Sequence, residues 1–182
     1  YDSFACNGIL FNHESPLRGL EFVTRKISNS VARIKLGIQQ NIILGNVTAR
    51  RDWGYAPEYV QAMWMVLQND IPDDFVVATG KTHSVIEFLN TAFDYAGLDG
   101  SKYMSLDKNL MRPNDVDLLC GDPSKISNIL SWQPKTSFAE LVKIMVDSDL
   151  IRWQAFLDGD PQPWDAPNYP DDLKMQQRHR NK

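Results

Sequence analysis

Phe4-Ala5-Cys6-Asn7-Gly8-Ile9-Leu10-Phe11, followed directly by Asn12-His13-Glu14-Ser15-Pro16, decides the fold class. The first eight residues carry no polar alternation. A run of that kind reads as a strand buried on both faces, as in a parallel sheet covered by helices. In open α/β sheets ligands bind just beyond the carboxyl ends of the strands. A loop at Asn12–Pro16 holding an amide, an imidazole and a carboxylate is therefore well placed to touch a ligand.

Outward from this stretch, the pattern alternates between strands and helices. Phe22, Val23, Ile27, Val31, Ile34 and Ile38 recur at helical spacing, with Lys26, Arg33 and Lys35 off that stripe. Ile42-Ile43-Leu44 is a short strand closed by Gly45-Asn46. Pro57-Glu58 marks a helix start, because proline lacks an N–H that a first turn leaves unpaired anyway. That helix carries Val60, Met63, Trp64 and Leu67 and stops before Pro72. Phe75-Val76-Val77-Ala78 is a further buried strand. Ser84-Val85-Ile86-Glu87 has the form of a capping box and opens a helix that ends at Gly97. Asp122-Pro123 starts a short helix, and Ser137-Phe138-Ala139-Glu140 caps a last one. The class is α/β.

From about Gly159 the texture changes. Pro161, Pro163, Pro167 and Pro170 are mixed with Asp, Gln and Arg, and no period survives. The expected division is 1–158 as the folded part and 159–182 as a poorly ordered tail. A length of 182 residues allows one domain or part of a larger one.

With a net charge of −4, a pI near 5.3 and a mean hydropathy of −0.36, the chain lacks the basic surface that a sequence-independent grip on nucleic acid requires. No apolar stretch approaches the roughly 20 residues of a membrane helix, and no signal segment opens the chain. Cys6 and Cys120 read as reduced core thiols, which points to the cytoplasm. Three scattered histidines and two distant cysteines give no zinc-like spacing. His83 reads as a solvent-side turn residue, and Trp53, Trp64 and Trp132 as core. Arg18, Arg25, Lys26, Arg33, Lys35, Arg50, Arg51 and Arg112 nevertheless concentrate cations in the first two-thirds of an acidic protein. Such a set suits a discrete anionic small ligand.

Four segments in a fixed order then resemble one family. Asn7 through Pro16, Phe22-Val23-Thr24-Arg25-Lys26, Leu44-Gly45-Asn46 with Arg50-Arg51-Asp52-Trp53-Gly54, and Arg112-Pro113 with Val116-Asp117 are similar to the GDP-mannose 4,6-dehydratases. These belong to the extended short-chain dehydrogenase/reductase group. The resemblance covers residues 1–150 and corresponds to the C-terminal half of the family's chain. It implies the C-terminal part of a Rossmann-like parallel sheet, completed by an N-terminal half, plus a smaller substrate-binding domain.

The resemblance also implies function. The family converts GDP-mannose to GDP-4-keto-6-deoxymannose with bound NADP, a dehydration without net redox, on the route to GDP-fucose. His13 and Arg18 match cofactor-binding positions. Asn12, Val23, Lys26, Leu44, Gly45, Arg51, Arg112 and Asp115 match positions around the sugar nucleotide. Arg51 and Arg112 fall at the diphosphate, Asp115 at the ribose hydroxyls, and Leu44-Gly45 beside the guanine. Leu17, Met111 and Asp115 depart from the family's Arg, aromatic and Glu. The family's Tyr-x-x-x-Lys pair, its Thr or Ser and its Glu base all precede Tyr1, so no residue of this chain is assigned a catalytic role, and the chain by itself is expected to be inactive. A dimer or tetramer at full length is implied as well. Two alternatives stay open: another sugar-nucleotide epimerase or reductase of the same group, and a non-catalytic nucleotide-sugar binder or assembly module. Taken singly, Lys26 is also explained as a solvated helix residue, and Gly45 as a plain turn.

Overall fold

A computed structural model describes residues 4–111 and 115–159. The opening run is not one doubly buried strand. It is two short ones, β1 (Gly8–Leu10) and β2 (Asn12–Glu14), separated at Phe11. β1 pairs in parallel with β6 (Phe75–Val77), and β2 pairs in parallel with β5 (Trp53–Tyr55). Period-two alternation explains the burial of β1. Leu10 turns toward a core containing Phe75 and Val77, whereas Ile9, on the opposite face, is 56% exposed and Phe4 is 47% exposed. Among the described residues, helices cover one face of this strand only. Asn12–Glu14, expected as a loop, is strand because its main chain has β5 to pair with.

β3 (Ile42–Leu44) lies parallel to β8 (Met104–Leu106). β4 (Arg50–Arg51) is parallel to β9 (Leu118–Leu119) on one side and antiparallel to β7 (His83–Ser84) on the other. Parallel pairing with helices between the strands gives the α/β class expected from sequence.

Three helices form one apolar layer. α1 (Val23–Lys35), α3 (Val85–Tyr95) and α5 (Phe138–Leu157) bury Ile27, Val31, Phe88, Leu89, Leu141, Met145 and Val146 together with Ile42 and Leu44 of β3. Two of these helices begin where sequence placed them. Ser84 accepts from the Glu87 N–H while the Glu87 carboxylate accepts from the Ser84 N–H, and Ser137 and Glu140 repeat the arrangement. Each box satisfies two N–H groups that a helix start leaves unpaired.

α2 (Ala56–Leu67) corrects the sequence reading of its faces. Val60, Met63, Trp64 and Leu67 point outward, and the buried side consists of Tyr59, Ala62 and Val66. This second core is completed by Phe75, Val77, Trp132 and Ile126 of α4 (Ser124–Leu130). Ala62 is small and Tyr59 large, and both are fully buried, so the register of the helix on β6 and not side-chain size sets the covered face. Trp53 and Trp132 are core as expected, while Trp64 is 62% exposed.

The expected core thiols are also corrected. Cys6 is half-buried and Cys120 exposed. His83 is not a turn residue but part of β7, its ring stacked 3.7 Å from that of Phe138. Of the expected tail only Gly159 falls among the described residues.

The two helix faces give a direct contrast. Trp64→Gln is expected to change the unfolding free energy by less than about 0.5 kcal/mol, whereas Phe88→Ala lowers it by about 3–5 kcal/mol. Urea titrations of both variants check this.

Candidate functional site

β2 is covered on both faces, and this places the first group of candidates. His13 and Glu14 project to opposite sides, as neighbours in a strand must. His13 stacks on Tyr59 of α2 with ring centroids 5.2 Å apart. Its Nδ1 lies 2.9 Å from the Phe11 carbonyl. A carbonyl can only accept, so Nδ1 carries the proton, and in the neutral ring Nε2 is left as an acceptor.

Glu14 faces α1 and is 1% exposed. It is not the ligand-facing carboxylate that its place after the strand suggested. It accepts from the Thr24 hydroxyl at 2.5 Å and lies 3.3 Å from Nε of Arg18. Burial pushes its carboxyl above the usual range, and the Thr24 bond, Arg18 and His13 oppose that shift. Arg18 is thereby held at two places: against Glu14, and with its guanidinium carbon 3.6 Å above the Phe22 ring. Asn12 sits half-buried at the start of β2, opposite Trp53.

The second group lies at the carboxyl end of β3. Val23 and Lys26 lie in the first turn of α1. Val23 packs on the apolar layer, and the Lys26 ammonium donates to the Ile43 carbonyl at 2.8 Å. Desolvation draws the Lys26 pKa down, a penalty that an anion beside it would relieve. The Leu44 side chain is buried in the core, so only its main chain can meet a ligand.

Gly45 has a steric reason to be glycine beyond that of a plain turn. A Cβ there would lie 2.6 Å from the Leu110 carbonyl oxygen, so the missing side chain lets 107–111 close over the end of β3. The Asp107 N–H donates to the Leu44 carbonyl at 2.9 Å in the same contact. Arg112, which follows, lies outside the described residues.

Asn46 continues this edge. Its amide nitrogen donates to Asp115 Oδ2 at 3.0 Å, and its amide oxygen accepts from the Thr48 and Ala49 N–H groups. Arg51 holds the other Asp115 oxygen at 2.8 Å. The second terminal nitrogen of Arg51 donates to the carbonyls of Arg50, at 2.8 Å, and Val116, at 2.5 Å. Lys26, Gly45, Asn46, Asp115 and Arg51 thus follow one another around a single edge, while His13 and Arg18 belong to the neighbouring β2–α1 turn. An open hollow of ≈ 290 Å³ between Lys135, Thr136, Glu140, Lys143 and Ile144 contains none of them.

Reasoning from sequence missed several residues that shape these groups. Thr24 and Asn46 stand inside the quoted segments, yet their roles depend on partners at Glu14 and Asp115. Asp52 is fully buried and accepts from the Thr79 N–H and hydroxyl, the Gly80 N–H and the Gly121 N–H. Tyr59 lies against Gly54, where a Cβ would fall 2.6 Å from the phenol oxygen. Burial, with Asp52, Glu58 and Glu14 nearby, pushes that phenol well above its ordinary value. Among the described residues no group of three or more His, Cys, Asp or Glu side chains could hold a metal ion, and no helix is long and apolar enough to cross a membrane.

Against known proteins, residues 1–145 match the family model described as GDP-mannose 4,6 dehydratase. This chain belongs to that family. It is 55% identical over 150 residues to GDP-mannose 4,6 dehydratase 1 of Arabidopsis thaliana, covering 82% of this chain and 42% of the relative. It is 48% identical over 167 residues to the human GDP-mannose 4,6 dehydratase, covering 82% of this chain and 45% of that one. The chain therefore spans less than half the length of these curated relatives. Among solved structures, RMD from Pseudomonas aeruginosa complexed with NADPH aligns with a TM-score of 0.74 at 19% identity, over 81% of this chain and 48% of that one. A dTDP-glucose 4,6-dehydratase from Bacillus anthracis in complex with NAD aligns with a TM-score of 0.66 at 15% identity, over 79% and 43%. The fold is that of the extended short-chain dehydrogenase/reductase enzymes.

Two outcomes test this geometry. For Glu14, a folded pKa above the unfolded one means that the native state binds more protons, so its contribution is fully present below the unfolded pKa and is lost as pH rises through the folded pKa. Glu14→Gln should accordingly be most stable relative to the parent at pH 7 and lose ground toward pH 4, as read by denaturant titration at several pH values. Gly45→Ala should destabilise the fold by about 1–3 kcal/mol, because Leu110 must move. Raised hydrogen exchange in 107–111 would locate the change.

Proposed function

We propose that this chain forms the sugar-nucleotide side of a GDP-mannose 4,6-dehydratase, which converts GDP-mannose to GDP-4-keto-6-deoxymannose with NADP. The observation that carries the reading is the continuous edge Lys26–Gly45–Asn46–Asp115–Arg51 beside the Arg18 turn, in a chain of this family. Lys26 lies beside the carboxyl end of the parallel strand β3, where α/β folds bind ligands, and Arg51 follows through Asn46 and Asp115.

In this reading Arg51 and Arg112 hold the diphosphate, and Lys26 adds a third positive charge. Asp115 receives the ribose hydroxyls, with Arg51 and Asn46 fixing its carboxylate. Gly45 and the Leu44 main chain pass beside the guanine, and Asn12 and Val23 complete the wall. Because Asp115 is shorter than the family's Glu, its direct pair with Arg51 sets its position. A guanidinium already oriented by carbonyls and a carboxylate loses little freedom on binding, which preserves affinity.

The cofactor side falls to His13 and Arg18. The fit is chemical: Glu14 and Phe22 orient Arg18 while its terminal nitrogens remain donors for a phosphate, and His13 offers an acceptor at Nε2. When bound, NADP supplies the hydride exchange of the reaction. The residues of this chain bind and orient, and none of them is assigned proton transfer at the sugar. The protein would act in the cytoplasm as a dimer or tetramer, without nucleic acid or membrane partners.

With the protein expressed from its own gene, Arg51→Ala should weaken GDP-mannose binding by about tenfold to a hundredfold and leave NADPH affinity unchanged. Arg18→Ala should do the reverse. Calorimetry with each ligand separates the two, and equal losses for both ligands in both variants would overturn the division. Turnover of UDP-sugars in place of GDP-mannose would assign the chain to another activity of the same fold.

A further inference from the structure

An ion pair buried between two packed helices calls for an explanation. Arg25 of α1 is 4% exposed and Asp149 of α5 is fully buried. Removing two charges from water is unfavourable, and apolar side chains of similar volume usually pack such helices equally well. Ile27, Val31, Met145 and Val146 already do so along the same pair of helices. The contacts of Arg25 indicate what else the pair accomplishes. Nε and one terminal nitrogen donate to the two Asp149 oxygens, at 3.2 and 2.8 Å. This fixes the plane of the guanidinium and turns the other terminal nitrogen onto the Arg18 carbonyl at 2.9 Å.

Asp149 is braced in turn. The Ser28 hydroxyl donates to it at 2.6 Å, and an Arg152 nitrogen lies 3.1 Å away. That same Arg152 nitrogen approaches the Pro16 carbonyl at 3.5 Å. Two carbonyls of the turn between β2 and α1 therefore face guanidinium groups oriented by one carboxylate. The bonds internal to this turn, from Leu17 N–H to Ser15 Oγ, Arg18 N–H to the Ser15 carbonyl and Phe22 N–H to the Gly19 carbonyl, set its shape. They do not fix where it stands relative to α1.

We propose that Asp149 is a positioning residue for the turn 15–22, acting through Arg25 on the Arg18 carbonyl so that the Arg18 side chain faces its phosphate ligand. The inference rests on the reading of Arg18 as a cofactor contact, and it adds a residue of the last helix to that site. Arg suits this task because its planar fork can hold a carboxylate with two nitrogens and still donate elsewhere.

The test uses the protein from its own gene. Asp149→Asn keeps the shape and removes the charge. Arg25→Lys keeps the charge opposite Asp149, but a single ammonium cannot reproduce the fork, so it guards against a failure of the first variant to fold. Peptide-resolved hydrogen exchange without ligand should rise by about tenfold in 15–22 and stay unchanged across Ala56–Leu67. NADPH should bind about tenfold more weakly, with GDP affinity unchanged. Unaltered exchange in 15–22, or a uniform rise in α1, α5 and the turn with equal losses of both ligands, would overturn the proposal. Should the turn loosen while neither these variants nor Arg18→Ala alter NADPH binding, the positioning stands and the cofactor reading of Arg18 fails.

Discussion

Asp52 is the constraint on which the candidate site depends. It lies between β4 and β5, fully buried, and collects hydrogen bonds from Thr79, Gly80 and Gly121. These donors belong to the segment after β6 and the segment before α4, both distant in sequence. A buried carboxylate is tolerated only when its oxygens are satisfied, and leaving such a group unpaired costs more than one ordinary bond contributes. The three segments are therefore tied at one point. Arg51 precedes that point by one residue and Gly54 follows by two, so its placement carries directly into the Arg51–Asp115 pair and into the packing of Tyr59 on His13.

A second theme is that the cations are oriented before any ligand arrives. Arg51 is held by Asp115 and two carbonyls, Arg18 by Glu14 and Phe22, and Lys26 by the Ile43 carbonyl. Each arrangement leaves part of the charge available. The partners differ in burial, and burial sets the consequence. Glu14 is enclosed and its carboxyl is pushed up, whereas Asp115 stays partly exposed beside its arginine. The same pairing of Arg with a carboxylate is thus an enclosed brace at one place and a partly exposed pair at the other.

The outward faces have their own logic. α2 buries Tyr59, Ala62 and Val66 in the second core and leaves Val60, Met63, Trp64 and Leu67 exposed, and Ile9 is uncovered on β1. Apolar side chains gathered on one exposed helix face mark a place where other protein packs.

The amino-acid sequence by itself determined the α/β class, both capping boxes, strand β3, the start of α2 and the family, because each depends on local spacing or on short ordered segments. Ser84 with Glu87, and Ser137 with Glu140, act within one turn and can be read without any tertiary contact. The segments Asn7–Pro16 and Arg50–Gly54 come together in the fold through the parallel pairing of β2 with β5. The side chains within them were another matter. That Glu14 turns inward, that Gly45 makes room for Leu110, that Asp115 pairs with Arg51, and that α2 turns Val60, Met63, Trp64 and Leu67 outward were decided only by tertiary structure. The physical reason is the same in each case. Periodicity says that a helix or strand has two faces, but which face is covered depends on neighbours from elsewhere in the chain, and a charged group's role depends on a partner such as Asp149, which stands 124 residues from Arg25.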